Sequence, residues 1–311
     1  MALGPRRRAI PIEPDQGAGK GLCRASKELT MFRKMLVCTD LSPASDALIK
    51  CVEELRNVGM EEVVLTHVRF MSTAPGVEEI LSEESSPALQ GQRSYLEERG
   101  MRVSVEMPCG LPSQGIVDVA EKHDVSAILI GSHGKGILQS AALGSVSAQL
   151  LHQMRRPVLL ARIALLEGGE CESVCSRMFR RLLFPTDFSE TAERAMEYLG
   201  RIIKGTRCSV TVMHVREQGG ADQQDSEEDV RFLLEAKARR LRMQGATEVI
   251  PLLVHGSPAG EIVERAARGG FSLIVMGGQG KGIIEELFLG SVANQVARRA
   301  ETPVLFIPAL R

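Results

Sequence analysis

The sequence predicts an α/β protein of two tandem domains, each a doubly wound, parallel five-stranded sheet. Three observations predict it. Short apolar runs alternate with stretches of helical spacing, the pattern of strands joined by crossover helices. The pattern runs twice, because Met31 to Ser42 (MFRKMLVCTDLS) returns 147 residues later as Met178 to Ser189 (MFRRLLFPTDFS). A Gly-x-x-Gly-(x)9-Gly-Ser pattern also follows an apolar run in each copy. It is Gly131, Gly134, Gly144 and Ser145 in the first copy, and Gly277, Gly280, Gly290 and Ser291 in the second. Thr66-His67-Val68 returns as Met213-His214-Val215, and Arg156-Pro157-Val158 as Thr302-Pro303-Val304. Four landmarks in one order indicate duplicated domains, and the period is far too long for a solenoid repeat.

In the first copy, Lys34 to Thr39 reads as a short buried strand. Ser42-Pro43 opens a helix, with Ser at the cap and Pro in the first turn. Ala47, Leu48, Cys51, Val52 and Leu55 form its buried face. Glu62 to Arg69 is the second strand, and residues 70–88 read as a polar loop. Tyr95 and Leu96 lie in a helix that ends at Gly100. Arg102 to Met107 is the third strand. Leu111-Pro112-Ser113 leads into a helix through Ile116, Val119 and Ala120. The fourth strand, Ala127 to Ile130, ends at the glycine loop. A helix spans Ser145 to Met154, and Pro157 to Arg162 is the last strand. The second copy repeats the order with strands at 181–185, 209–215, 248–254, 273–276 and 304–307. The expected division is a disordered extension (1–30), a first domain (31–163), a linker (164–177) loosened by Gly168 and Gly169, and a second domain (178–311). Met31 opens its copy just as Met178 does, so a native start at Met31 is an alternative that intact mass would settle.

Composition narrows the class. The chain has 311 residues, 44% hydrophobic and 25% charged, with a net charge of −1. That balance argues against a general nucleic-acid or membrane-surface binder. No apolar run approaches the roughly 18 residues of a spanning helix. The first thirty residues lack a secretory apolar core. Seven cysteines without a dense framework point to a reducing cytoplasm. Cys171 and Cys175, spaced C-x3-C in the linker, read as bystander thiols, with a redox-sensitive linker and a metal site as alternatives.

The glycine pattern carries the chemistry. A glycine turn after a buried strand lets backbone N–H groups approach an anion. A Ser at the following helix start adds a hydroxyl, and the helix dipole favours negative charge there. Ligands of doubly wound sheets sit beyond the carboxyl ends of the strands, where the strand order reverses. Asp40, Val68 and the first glycine loop all fall at such ends, as do Asp187, Val215 and the second loop. A backbone edge near Val68 suits adenine, an Asp suits ribose hydroxyls, and the loop suits phosphates.

These residues resemble the universal stress protein family, in a tandem form covering residues 31–162 and 178–308. The resemblance rests on Thr-Asp-x-Ser, the His-Val ending the second strand, and the full glycine pattern. It implies a Rossmann-like strand order of 3-2-1-4-5 and pairing of the domains through their last strands. It implies ATP as the cofactor, with magnesium as an option. Asp40 and Asp187 would face the nucleoside, and Val68 and Val215 the adenine. Gly131, Gly134, Gly144 and Ser145 would hold ribose and phosphates, as would Gly277, Gly280, Gly290 and Ser291. Val146 and Val292 would donate backbone N–H groups. The family often has Pro before Thr-Asp; the second copy keeps Pro185, whereas the first has Cys38, which singles out the adenine end of site one.

Plainer readings stand beside these. The glycines could make turns alone, and Asp40 and Asp187 could cap helices. Lys135 and Lys281 read as phosphate partners or as surface lysines. His67 and His214 read as hydrogen-bonded strand residues rather than catalysts. His133 becomes Gln279 in the second loop, which argues against a shared catalytic duty. There is no Walker-type loop, no nucleophile elbow, no zinc spacing and no evident general base beside the loop. The leading function is a cytoplasmic ATP-binding stress or signalling module. It has an unidentified protein partner and an intramolecular domain pair, with a homodimer as a further option. The alternatives are a slow Mg-dependent ATPase and a nucleotide-independent, chaperone-like interaction protein.

Overall fold

The apolar runs of both copies become strands of one sheet. The structure is a computed structural model and describes residues 32–69, 77–132, 143–165, 171–173, 177–217, 226–280 and 289–309. The strands of the first half are β1 (Lys34–Cys38), β2 (Glu62–Thr66), β3 (Arg102–Glu106), β4 (Ala127–Gly131) and β5 (Val158–Ala161). Two three-residue strands, β6 (Ile163–Leu165) and β7 (Cys171–Ser173), pair antiparallel within the expected linker. The second half supplies β8 (Arg181–Pro185), β9 (Ser209–Arg216), β10 (Glu248–His255), β11 (Leu273–Gly277) and β12 (Val304–Ile307).

The sheet order is β10-β9-β8-β11-β12-β5-β4-β1-β2-β3. Counted within each half, this is 3-2-1-4-5 twice, all parallel. The halves join where β12 pairs antiparallel with β5, setting Val304 opposite Leu160, Leu305 opposite Leu159 and Phe306 opposite Val158. Val158 and Val304 are equivalent residues, as are Leu160 and Phe306. The pairing is therefore self-complementary, and a pseudo-two-fold axis passes between Leu159 and Leu305. This is the pairing through last strands that the resemblance implied, and it makes the two five-stranded sheets one continuous sheet, each last strand covering the open edge of the other.

Helices cover both faces. In the first half they are α1 (Pro43–Lys50), α2 (Val52–Arg56), α3 (Val77–Glu98), α4 (Pro112–Lys122) and α5 (Ser145–Gln153). In the second they are α6 (Glu190–Gly205), α7 (Glu227–Met243), α8 (Pro258–Arg268) and α9 (Ser291–Arg299). Strand side chains alternate between faces. Met35, Val37 and Leu159 join the core under α1 to α3, α6 and α7. Leu36, Cys38, Leu160 and Phe306 join the core under α4, α5, α8 and α9. Both cores run through the junction of the halves.

Two local expectations are corrected. The helix expected through Leu55 breaks at Cys51, where Cys51 N–H bonds Leu48 O (2.9 Å) and Glu54 N–H bonds Cys51 O (3.2 Å). These i→i−3 bonds are a 3₁₀ step; the matching α6 is unbroken. The expected loop at 70–88 holds the start of α3 from Val77. Over its described side chains, residues 87–98, that helix buries a stripe of Leu89, Gln92 and Leu96. Cys38, Cys109 and Cys208 are free thiols. Cys51 is half of a disulfide whose partner lies outside the described side chains, which departs from the free thiols expected of a reducing compartment. No helix among the described residues is long and apolar enough to cross a membrane.

Candidate functional site

Strand order reverses in each half between strand one and strand four, and a cavity opens at their carboxyl ends. In the first half it is lined by Asp40, Val68, Gly131, Gly144, Ser145 and Val146, among others. In the second it is lined by Asp187, Val215, Gly277, Gly280, Gly290, Ser291 and Val292, among others. Every residue singled out from sequence thus converges on its own half's cavity, except Gly134. That residue, with His133 and Lys135, lies outside the described residues, as does Lys281. The second cavity holds about 350 Å³, the size of a small-ligand site.

The Thr-Asp-x-Ser turn explains itself physically. Thr39 Oγ1 accepts from Leu41 N–H (3.0 Å), and Asp40 Oδ1 accepts from Ser42 N–H (3.1 Å). Thr186 and Asp187 do the same for Phe188 (3.1 Å) and Ser189 (3.0 Å). These bonds hold Leu41 and Phe188 at φ of 60° and 61°, a left-handed conformation that apolar residues rarely adopt. The turn aims the Asp across the strand ends. Ser42 and Ser189 then cap their helices, accepting from Ser45 N–H (3.3 Å) and Ala192 N–H (3.2 Å). Ser45 Oγ also donates to Asp40 Oδ1 (2.5 Å), whereas Ala192 holds the equivalent place in the second half.

The repeated His braces the turn. His67 Nδ1 lies 2.9 Å from Thr39 O, and His214 Nδ1 lies 2.8 Å from Thr186 O. A carbonyl only accepts, so Nδ1 carries the proton in both. His214 also stacks at 4.8 Å on Phe188. This is the plain strand role read for these residues.

Gly277 and Gly280 are required by space rather than by conformation. None of Gly131, Gly144, Gly277, Gly280 and Gly290 has a positive φ. A Cβ on Gly280 would stand 2.6 Å from Asp187 Oδ2, and one on Gly277 would stand 2.9 Å from Thr191 Cγ2. The loop therefore closes directly over the carboxylate. Ser132 and Gly278 brace the loops equivalently. Ser132 N–H bonds Ala161 O (2.9 Å) and its carbonyl accepts from Gly144 N–H (2.8 Å). Gly278 N–H bonds Ile307 O (2.8 Å) and its carbonyl accepts from Gly290 N–H (2.7 Å). The helices that follow, α5 and α9, start at Gly144 and Gly290 with no side-chain cap. Their first N–H groups and the positive dipole end thus face the cavity.

The halves differ at the strand-one end. Cys38 and Pro185 occupy equivalent places in the two linings. Cys38 is buried, and burial pushes its thiol far above the ordinary range, so it stays neutral and packs as a small apolar group. Beside the second site, Lys237 of α7 bonds Glu193 and stands 5.5 Å from the Phe188 ring centroid. Burial, with Arg240, lowers its ammonium to about 8 against the attraction of Asp187. The first half has a neutral donor to a carboxylate there instead, Gln92 Nε2 to Asp46 Oδ1 at 2.7 Å. Sequence reading missed Thr39, Thr186, Ser45, Gly278 and Lys237. Only the two threonines left a signal, their repetition in the Thr-Asp-x-Ser pattern.

Comparison with known proteins gives a consistent result. The sequence pattern of the Universal stress protein family matches residues 31–162 and again 178–308. A universal stress protein of Methanocaldococcus jannaschii is 30% identical over 155 residues, covering 42% of this chain and 96% of that protein. One from Mycolicibacterium smegmatis is 25% identical over 301 residues, covering 88% and 96%. The crystal structure of a universal stress protein from Archaeoglobus fulgidus superposes with a TM-score of 0.72 at 27% identity, covering 90% of this chain and 97% of that one.

Proposed function

This chain belongs to the universal stress protein family in tandem form, and on that premise we propose that each half binds an adenine nucleotide, ATP first among them. The observation that carries the reading is the glycine loop of the second half. There Gly280 leaves no room for a side chain over Asp187, beside the uncapped start of α9. Phosphates suit the N–H groups of residues 144–146 and 290–292, ribose hydroxyls suit Asp40 and Asp187, and adenine suits the edges at Val68 and Val215. Among the described residues no group of three His, Cys, Asp or Glu is placed to hold a metal. Magnesium would accordingly arrive with the phosphates.

The residues support binding more than turnover. His67 and His214 are committed to the Thr carbonyls through Nδ1, and Asp40 and Asp187 are engaged by their turns through Oδ1. Neither pair is a poised general base. The protein acts, on this reading, as a cytoplasmic module whose occupied state is recognised by a partner protein. Such a role requires different nucleotide affinities in two states. The test is to release and weigh small molecules that copurify with the native protein, then to titrate ATP into emptied chains. Near two ATP per chain is expected. An emptied protein that refuses ATP at millimolar concentration sinks the reading. ADP formed on incubation with Mg-ATP, and lost on Gly280→Val, would convert it into a slow ATPase.

A further inference from the structure

The second site is not built by the second half alone. Met154 follows the last turn of α5, the helix whose first residues line the first site. Its side chain is buried and crosses the pseudo-two-fold axis. Its Cε methyl occupies the space where a Cβ of Gly278 would stand. Gly278 lines the second cavity and ties strand β12 to the start of α9 through two backbone bonds. Its φ is not positive, so the backbone there would accept any L-residue. The atom a Cβ would have to displace is the tip of the Met154 side chain, which is itself packed in the apolar core; the next neighbour, Ile307 O, would be 3.4 Å away, ordinary contact distance.

The axis relates this pair to Ala300 and Ser132. Met154 and Ala300 each follow the last turn of α5 or α9, and Ser132 holds the brace position of Gly278 with the same two backbone bonds. Methionine and glycine at one pair of positions thus become alanine and serine at the equivalent pair, and all four residues are buried. Both arrangements fill the junction, as close-packed interiors require. We infer that Met154 is a positioning residue of the second site, holding the Gly278 brace, and with it the phosphate loop and α9 start, from the opposite half. The inference rests on the nucleotide reading for its readout. It implies that the second half by itself has a slack loop, and that the two sites are joined physically through α5.

The test is a double-mutant cycle on the full chain with ATP titrated calorimetrically: wild type, Met154→Ala, Gly278→Ser, and both together. Gly278→Ser should weaken one of two binding steps about tenfold, because the hydroxymethyl group and the Met154 methyl compete for one space. The double variant recreates the first-half pairing and should return to within about threefold of wild type. Met154→Ala should loosen the same step by a smaller factor. Equal weakening in Gly278→Ser and the double variant would overturn the inference, as would wild-type affinity in Gly278→Ser. If Gly278→Ser fails to fold, a folded double variant supports the inference and an unfolded one overturns it. Wild type that binds no nucleotide overturns the nucleotide reading itself, a result distinct from any of these.

Discussion

The two halves have one topology and nearly one turn, yet they solve the same packing problems with different residues. The first half ties its outer helix to the turn helix with Gln92 and Asp46, a neutral donor to a carboxylate. The second uses a buried Lys237 with Glu193. The first half holds its Asp by two serines, the second by one. At the shared junction the first half offers a long side chain where the second offers a short one. The duplication preserved what the ligand crevice needs and let the surroundings drift in compensating pairs. Such pairs are interchangeable only together, because a packed interior tolerates conserved volume better than altered volume.

The comparison can be broken most sharply at the loop. Gly280→Val places two methyl groups against Asp187 Oδ2, where a Cβ alone would stand at 2.6 Å. Nucleotide per chain should fall from two to one, with affinity at that site down roughly a hundredfold. Loss of both sites would show that the halves bind as one unit.

The next largest effect belongs to the turns. Asp40→Ala removes bonds from Ser42 N–H, Ser42 Oγ and Ser45 Oγ. Asp187→Ala removes those from Ser189 N–H and Oγ. Each should cost about 1–2 kcal/mol in denaturant unfolding, the first more than the second. The reverse order would mean that Lys237 and its neighbours add more to the second turn than the hydrogen bonds indicate.

A pH scan separates the halves electrostatically. Lys237 has a folded pKa of about 8 against 10.5 in the open. The unfolded chain binds more protons between these values, so this lysine makes stability rise with pH from about 8 to 10.5. Below that window its burial penalty is fully present. Lys237→Met should remove this rise, measured as unfolding midpoints at several pH values, while the same scan of Gln92→Leu keeps it. The smallest effect on affinity is expected from Cys38→Pro, which gives the first site the second's residue but removes one N–H from a central strand. The neutral buried thiol and the proline ring are both apolar, so affinity should change less than about threefold. A larger gain would make Cys38 the cause of a weaker first site.

Much of this was legible in the sequence because it is local or periodic. The strands are runs of Val, Ile and Leu bounded by polar residues, and the glycine pattern follows β4 and β11 without a gap. Asp40, Val68 and the loop were placed together by one rule, that parallel-sheet ligands sit at strand ends. The start of α3 was not legible, since a helix that buries a narrow stripe is polar over most of its length. The break at Cys51 was hidden because its residues keep helical spacing on both sides. Gly278 left no signal, because what packs against it is a side chain 124 residues away, Met154.

Beyond the strand order, which the family resemblance implied, the sequence by itself determined the tandem α/β architecture and the meeting of Asp40, Val68 and the glycine loop at the strand ends. These follow from hydrophobic periodicity, repetition and residue types whose chemistry is set within a few positions. Only the tertiary structure decided the antiparallel register that joins β12 to β5, that Leu41 and Phe188 are held left-handed, and that the first half reaches into the second site. Those depend on which atoms compete for the same space once distant segments pack, and close packing across a pseudo-symmetry axis leaves no periodic trace in the chain.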